Sequence, residues 1–292
     1  MNDVMKLAKE QHSYVVDMRR HFHRNPEPSF KEFNTARKIR SELENMGIEW
    51  ISACETGTVG IIHGNGDDPE NILCLRADID ALELEEKTGC EYSSLTPGLM
   101  HGCGHDSHMA MLLGAARILK NNFEGTFPGT LYLLFQPAEE NGNGAMAVIR
   151  SGALDGIKAM FGQHIMSYYD SGEMLNRIGP TMAGASFFHI DFKGKSGHGS
   201  IPASGINPVT PALMTALGLQ TLVGLSIDPR EIASLNIGQV TSGWTHNIIP
   251  ETAHIEGCIR TFSKENDKLL QNAVQQWAQI SLHIICDYSN AY

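Results

Sequence analysis

The sequence lacks the features that mark membrane and nucleic-acid-binding proteins. No apolar run approaches the roughly eighteen residues that a membrane span needs, and the N-terminal residues mix charges with apolar side chains instead of forming a signal-peptide core. Positive charge is scarce, with 22 Lys and Arg against 33 Asp and Glu and a net charge of −11. Such a chain has no general attraction to phosphate backbones or anionic lipid. We therefore expect a cytoplasmic protein with no nucleic-acid or membrane partner.

The sequence also lacks biased tracts, internal repeats and a regular cysteine pattern. With 292 residues, 42% of them hydrophobic and 19% charged, it has the composition of a globular protein of about two domains. Its cysteines are irregularly spaced, which in a long chain without an export signal favours reduced thiols over disulfides. They are Cys54, Cys74, Cys90, Cys103, Cys258 and Cys286.

Periodicity predicts an α/β protein with two domains. Over residues 1–182, strands that are apolar throughout alternate with helices, which is typical of a helix-covered mixed sheet. Over residues 183–292 the order becomes βαββαβ, the ferredoxin-like unit, with its last strand near Ile284. We predict the boundary within residues 179–184.

A helix start is predicted near Ser29. The run Ser29-Phe-Lys-Glu32 has the spacing of a capping box, in which the serine oxygen and the glutamate satisfy backbone N–H groups at the helix N-terminus. We therefore expect Ser29 and Glu32 to serve the following helix.

The densest set of chemically active side chains is His101-Gly-Cys-Gly-His-Asp106. Side chains two residues apart in an extended segment point the same way, so Cys103 and His105 are placed to bind one ion. The competing interpretation is a glycine-rich turn with a buried thiol, since free cysteine is commonly a small buried hydrophobe.

Two adjacent glutamates, Glu139 and Glu140, follow directly on an apolar strand predicted over residues 130–135. The carboxyl edge of a sheet is where α/β proteins place their ligands. Because adjacent residues cannot both aim at one point, we expect one glutamate to coordinate an ion and the other to act as a base. The competing interpretation is a solvated pair, since carboxylates mostly lie exposed.

Polar residues end two further predicted strands. His164 ends the run that starts at Ala159, and Asp78 and Asp80 follow the apolar run that starts at Asn71. Asp80 is suited to orient a ligand histidine from behind. Each residue alone is typical of a structural or solvated group, but all these strand ends fall in one predicted sheet. A thiolate, imidazoles and carboxylates together favour Zn, Mn, Co or Ni over Mg or Ca.

The chain resembles the M20 metallopeptidase superfamily, specifically its amidohydrolase branch of hippurate hydrolases, N-acyl-amino-acid hydrolases and N-acetyldiaminopimelate deacetylases. The resemblance runs over essentially the whole chain and implies a two-metal amidohydrolase with a catalytic domain and a lid or dimerisation domain. The motifs that carry it are Arg20-His-Phe-His-Arg-Asn-Pro-Glu-Pro28, Leu75-Arg-Ala-Asp-Ile-Asp-Ala-Leu82, Met100-His-Gly-Cys-Gly-His-Asp106, Phe135-Gln-Pro-Ala-Glu-Glu140, Gly162-Gln-His164, Ser196-Gly-His-Gly199, Asn247-Ile-Ile-Pro250 and Gly257-Cys-Ile-Arg-Thr261.

The resemblance implies a role for each matching residue of the first domain. Glu139 resembles the general base that takes a proton from a metal-activated water, and Asp80 the acidic residue behind the metal site. A ligand histidine of the wider superfamily stands where this sequence has Asp78. The residues that match metal ligands, for two divalent transition-metal ions, are Cys103, His105, Glu140 and His164.

In the second domain, the resemblance implies that three residues contact the substrate, an N-acyl or N-aroyl amino acid. His198, Asn247 and Arg260 match polar residues that hold the scissile carbonyl oxygen or the substrate carboxylate, some of them from the partner subunit of a homodimer. A guanidinium suits a carboxylate through bidentate binding. Without the resemblance, a loop histidine, a turn asparagine and an exposed strand arginine are the simpler interpretations.

Two alternatives to the amidohydrolase stay open. One is a dipeptidase or carboxypeptidase of the same superfamily. The other is a non-catalytic dimerising metal-binding protein, because family members return to the catalytic domain after the second domain and supply another ligand histidine, whereas this sequence stops at Tyr292. We expect either a fragment or a natural truncation, with exposed apolar surface where the returning segment would pack.

Overall fold

A computed structural model describes residues 2–68 and 70–285 of the chain. Its internal contacts divide the chain into two compact units, residues 1–171 and 172–292. The predicted boundary lies about ten residues later, within residues 179–184. The assignment of a catalytic role to the first domain and of a lid or dimerisation role to the second stays a prediction.

The first unit is built on a five-stranded sheet of order β1-β2-β4-β3-β5. The strands β3, β4 and β5 run parallel, while β1, β2 and β4 are antiparallel neighbours. The elements are α1 (Asn2–Glu10), α2 (His12–Arg24), α3 (Phe33–Asn45), β1 (Glu49–Ala53), β2 (Gly57–His63), β3 (Ile72–Asp78), α4 (His105–Phe123), β4 (Thr130–Gln136), α5 (Gly144–Arg150) and β5 (Ile157–Gly162).

Helices cover both faces of this sheet at its inner strands, where successive side chains point to opposite sides. On β4, Leu133 and Phe135 belong to a core formed with α2, α3 and α4, whereas Leu134 belongs to a second core with Val148 of α5. The predicted helix-covered mixed sheet is confirmed. Strand β5 lies at the edge and exposes most of its residues.

The second unit contains a three-stranded antiparallel sheet of order β6-β10-β8 and a two-residue ribbon, β7 with β9. Helices α6 and α7 pack on the sheet through Leu219 and Leu270. The elements are β6 (Gly184–Lys193), β7 (Gly197–His198), α6 (Val209–Ser226), β8 (Ala233–Ser242), β9 (Ile248–Ile249), β10 (Thr252–Thr261) and α7 (Lys264–Ile285).

The strand predicted near Ile284 is wrong. Helix α7 continues through Ile285, because its inward positions recur at helical spacing over Leu270, Val274, Trp277 and Ser281. The order βαββα is therefore confirmed as far as Ile285, and the later residues lie outside the described part.

The cysteines of the described residues are free thiols: Cys54, Cys74, Cys90, Cys103 and Cys258. The expectation of reduced cysteines is confirmed for these five. Cys286 lies outside the described residues.

Helix α6 has the length and apolar composition of a membrane-crossing helix, with a mean hydropathy of 1.3, although the sequence shows no uninterrupted apolar run. Core helices of soluble proteins pass the same test. One face of α6 packs on the sheet and α7 through Gly218, Leu219 and Leu222. The other face leaves Leu213 and Leu217 exposed.

Two glycines of α6 give a matched test of this packing. At Gly218 an added Cβ would lie 2.4 Å from the Trp277 ring, whereas at Gly224 it would meet nothing within 4 Å. We expect Gly218→Ala to lower the free energy of unfolding by about 1 to 3 kcal/mol through overpacking. Gly224→Ala should raise it by up to about 1 kcal/mol, since alanine is the better helix former. Urea unfolding of both variants measures this, and equal effects would contradict the packing.

Candidate metal centre

The parallel strands bring the predicted ligands to one edge of the first unit's sheet. Strands β3, β4 and β5 end at Asp78, Gln136 and Gly162, and their carboxyl ends point the same way. Asp80, the two glutamates and His164 follow these ends within four residues. The predicted strand-edge site is thus a direct consequence of the sheet topology.

Cys103 and His164 meet at this edge, although 61 positions separate them in the chain. The Cys103 Sγ lies 3.3 Å from the His164 Nε2. With a nitrogen of His105 they form a group whose ligand atoms all lie within 4.8 Å of one another. Gly104 adopts φ +89° between Cys103 and His105, at the start of α4. A left-handed turn therefore joins the two ligands, and not the extended segment that we expected.

His105 is the buried centre of the group, with no exposed surface. Its Nδ1 lies 2.9 Å from the Asp80 carbonyl oxygen and donates to it, so the Nε2 faces the site. The Nε2 lies 3.7 Å from the Glu140 Oε1. Neither of these two buried atoms has a hydrogen-bond partner in the described residues. An unpaired buried polar atom is costly, and a cation between them would satisfy both.

The surrounding charges favour a cation at this position. Burial opposes protonation of His105, but the nearby Asp80 and Cys103 side chains and the charge of Asp78 together raise the pKa of the imidazole to about 11. The donor set of one sulfur, two imidazoles and a carboxylate suits borderline transition ions. The residues therefore fit a divalent metal ion in both geometry and chemistry.

Asp80 holds the loop that carries the two glutamates. Its carboxylate accepts hydrogen bonds from the backbone N–H groups of Glu139 and Glu140, at 3.1 and 3.0 Å, and from the Ser29 hydroxyl at 2.6 Å. Burial alone would raise the pKa of Asp80, but the contact with His105 and the hydrogen bonds from Ser29 and the Glu140 N–H hold it below its usual range. Asp80 thus positions the backbone of this loop, and its part in a reaction stays a prediction.

Both glutamates approach His105, contrary to our expectation that adjacent residues cannot aim at one point. One oxygen of each carboxylate lies within 4.8 Å of a His105 nitrogen. The chain has left β4 at this point, so the alternation of an extended strand no longer applies. Ala138 adopts φ +51°, a left-handed conformation that is unfavourable for a residue with a Cβ.

Glu32 stabilises the Ala138 turn. Its buried Oε1 accepts the Ala138 N–H at 2.8 Å and the Phe30 N–H at 2.9 Å, and its Oε2 accepts the Thr56 hydroxyl. The predicted capping box is therefore wrong. Both side chains bond across the fold instead of capping the helix: Glu32 accepts the Ala138 N–H, and the Ser29 hydroxyl donates to the Asp80 carboxylate.

Sequence reasoning missed His108, which lies three residues after His105 on the same face of α4. It is buried, and its Nδ1 lies 2.6 Å from the Asp78 Oδ1. The spacing of His105 and His108 was the available signal, since residues three apart are neighbours on a helix surface. Asp78, His105 and His108 lie close enough together to be grouped as ligands.

A second group of metal-binding residue types lies elsewhere in the first unit. It comprises His23, Glu86 and Cys90. The His23 ring is hydrogen-bonded on both sides, to Asp106 at 2.8 Å and to Glu86 at 3.2 Å. We therefore interpret this group as a structural network.

The predicted substrate-contacting residues lie in the second unit. His198, on β7, and Asn247, just before β9, are brought together, since the Gly199 N–H donates to the Asn247 carbonyl oxygen at 2.9 Å. Arg260 lies apart on β10, exposed, with its guanidinium 5.8 Å from the Phe187 ring. Their roles stay predictions.

Comparison with known proteins identifies relatives along the whole chain. Residues 74–283 match the profile of peptidase family M20/M25/M40. The chain is 40% identical over 284 residues to N-acetyl-L-cysteine deacetylase of Bacillus subtilis, covering 94% of this chain and 67% of that protein. It is 40% identical over 267 residues to thermostable carboxypeptidase 2 of Saccharolobus solfataricus, covering 90% and 66%. The chain thus spans about two thirds of the length of these curated relatives.

A solved structure shares the fold. A dinuclear metal-binding peptidase of the M20 family from Bacillus subtilis superposes with a TM-score of 0.76 at 35% identity, covering 95% of this chain and 72% of that one.

Asp80→Asn tests the role of this carboxylate in the metal-free protein. We expect the substitution to lower the free energy of unfolding at pH 7 by about 3 to 5 kcal/mol, as for other buried charges that lose their partners. Because the folded-state pKa of Asp80 lies below its ordinary value of 3.8, the part of this contribution that comes from the charge of the carboxylate is present above about pH 4 and declines as the pH falls towards the folded-state pKa. Urea unfolding in the presence of a chelator, from pH 7 to pH 3, measures it.

Asp228→Asn is the matched control, because the Asp228 carboxylate pairs with Arg230 in solvent. We expect little change in stability from it. An Asp80→Asn effect no larger than that of the control would contradict the positioning role of Asp80.

Proposed function

The chain belongs to peptidase family M20/M25/M40, and we propose that it is a metal-dependent amidohydrolase that cleaves the amide bond of N-acyl or N-aroyl amino acids. One observation carries the proposal: Cys103, His105, Glu140 and His164 converge on one sheet edge with Glu139 beside them. A structural core would not leave the His105 Nε2 and the Glu140 Oε1 buried without partners. The deacetylase relative supports the choice of substrate class.

We propose that the centre binds two divalent transition-metal ions, drawn from Mn, Zn, Co and Ni. The residues that would hold them are Cys103, His105, Glu140 and His164. Two overlapping groups of donors support this number, one with Cys103 and His164 and one with the two glutamates, which share His105. When bound, such ions would lower the pKa of a coordinated water and polarise the scissile carbonyl group.

Glu139 is suited to the general-base role. Its side chain is exposed, whereas Glu140 is half-buried against His105. We propose that the Glu139 carboxylate takes a proton from the attacking water and passes it to the departing amine. Asp80 keeps this carboxylate in place through the backbone of its loop.

In the second unit, we propose that His198 and Asn247 hold the scissile carbonyl oxygen and that Arg260 binds the substrate carboxylate. A bidentate guanidinium gives such a carboxylate both affinity and orientation. The exposure of all three side chains leaves them free to contact a ligand.

A carboxypeptidase is the second candidate, because a relative of equal identity carries that name. Both activities cleave an amide next to a free carboxylate, so the metal centre does not separate them. Competition between dipeptides and N-acetyl amino acids for the purified protein does. Preferential hydrolysis of peptides would favour the carboxypeptidase.

Two substitutions at adjacent positions separate the roles of the glutamates. We expect Glu139→Gln to lower kcat for N-acetyl amino acids or hippurate by about 10² to 10⁴, the usual contribution of a general base, with metal content unchanged. Glu140→Gln should lower metal affinity as well, because it removes a ligand oxygen. Steady-state kinetics with Mn or Zn, together with metal analysis, measure both. No metal-dependent turnover of acyl amino acids or peptides by the unaltered protein would contradict the proposal and favour a non-catalytic metal-binding protein.

We also propose that the protein forms a homodimer and works in the cytoplasm. The outer face of α6 supports the dimer, since it exposes Leu213 by 56% and Leu217 by 73%. Apolar side chains that recur on one helix face are typical of interaction surfaces.

Light scattering after size-exclusion chromatography tests the dimer. We expect twice the chain mass for the unaltered protein and a shift to monomer for Leu213→Glu with Leu217→Glu. Ile178→Glu, at an exposed position outside α6, is the control and should stay dimeric. A monomeric unaltered protein would contradict the proposal.

A further inference from the structure

We propose that His108 is a positioning residue for the metal ligand His164, acting through the backbone of Ile165. The inference rests on the proposed function only in naming His164 a metal ligand. His108 would bind neither metal nor substrate. Its ring would instead set where the His164 imidazole lies.

Both ring nitrogens of His108 are already engaged. The Nδ1 lies 2.6 Å from the Asp78 Oδ1 and the Nε2 lies 3.0 Å from the Ile165 backbone nitrogen. Because an amide can only donate, the Nε2 accepts, so the proton of the neutral ring is on Nδ1 and is donated to Asp78. No lone pair is left for an ion, which excludes His108 as a ligand in this arrangement.

The backbone of Ile165 connects His108 to His164, and its side chain anchors the segment. Its N–H is held by His108, and its carbonyl oxygen lies 2.6 Å from the His164 Nδ1. That contact makes Nδ1 the donor and turns the Nε2 lone pair of His164 toward Cys103. Its side chain packs on Gly104, where an added Cβ would lie 2.3 Å from the Ile165 Cδ1. The position of Ile165 therefore determines the position of the His164 ring.

The other end of this chain of bonds is rigid. Asp78 is the buried last residue of β3, which lies between β4 and β5, and Arg76 donates to its Oδ2 at 2.6 Å. Arg76 also donates to the Gln136 Oε1 on β4, at 3.0 Å. Through His108, the position of the His164 ligand at the sheet edge is thus tied to the buried end of β3.

His164 needs such support because its own segment is weakly held. It follows the edge strand β5, and residues 162–165 are exposed. By contrast His105 lies on α4 and is fully buried. Hydrogen-bonded partners behind metal ligands typically change metal affinity by about 10- to 100-fold when they are removed.

Two substitutions of His108 distinguish its two hydrogen bonds, because each keeps only one of them. Glutamine places an amide oxygen near the position of the histidine Nε2, and asparagine places its amide near that of Nδ1. His108→Gln therefore keeps an acceptor for the Ile165 N–H, whereas His108→Asn keeps only a donor to Asp78. The exposed His63→Gln is the control for an unrelated histidine.

The first measurement needs no metal. Amide hydrogen exchange of Ile165, followed by NMR with a chelator present, should be slowed in the unaltered protein, in His108→Gln and in the control. It should be fast in His108→Asn. Equal protection of the Ile165 amide in the two His108 variants would overturn the proposal. So would nitrogen NMR spectra showing that the Nδ1 of His108 carries no proton in the unaltered protein.

The second measurement is a titration with Co²⁺, followed by thiolate-to-cobalt charge-transfer absorption that reports Cys103. We expect His108→Asn to weaken binding by about 10- to 100-fold, with His108→Gln close to the unaltered protein. Equal weakening in both variants would overturn the proposal. If His108 were needed only for packing, glutamine and asparagine would affect Co²⁺ binding alike. If the unaltered protein binds Co²⁺ but hydrolyses no amide, this pattern still supports the role of His108, while the proposed function fails.

Discussion

The candidate centre depends on the hydrogen bonds that the buried Asp80 carboxylate accepts. This carboxylate accepts the backbone N–H groups of Glu139 and Glu140 and the hydroxyl of Ser29, while the carbonyl oxygen of the same residue orients His105. One residue thus fixes a ligand, the proposed base and the start of the chain segment that leads to α3. Since a buried carboxylate is costly unless it is fully hydrogen-bonded, each of these partners is needed for the others to stay in place.

The electrostatics of the centre are arranged for a positive charge. Asp78, Asp80 and Glu140 surround His105, and the imidazole Nε2 lies 3.7 Å from a Glu140 oxygen. In the metal-free protein this arrangement raises the pKa of the histidine. A divalent ion would replace the proton on the His105 Nε2 and offset more of the negative charge. Metal binding and folding are therefore expected to stabilise each other.

The ligands differ in how firmly the fold holds them. His105 begins a buried helix, and the glutamate loop is fixed by Asp80 and Glu32. Cys103 lies half-buried in a turn before α4, and His164 lies exposed after the edge strand β5. Local opening is easiest where buried apolar contacts are few. The bond from His108 to Ile165 is therefore most important on the side of the centre that the core supports least.

Much of this protein follows from local pattern. Alternating apolar runs and helical stripes predict the mixed sheet and its helices, and polar residues at strand ends predict the edge at which Asp80, Glu139 and His164 gather. These features are readable because a strand's period and a helix's period act over neighbouring residues. The motifs that carry the family resemblance are likewise short, contiguous runs of sequence.

Only the tertiary structure decided which polar groups are partners. Ser29 and Glu32 have the spacing of a helix cap, yet they bond Asp80 and Ala138, and His108 has no sequence signal that connects it to Ile165. The continuation of α7 to Ile285 is likewise a matter of what its inward face packs against. A hydrogen bond between residues far apart in the chain depends on distance and burial in the folded molecule, and neither quantity is written in the order of the residues.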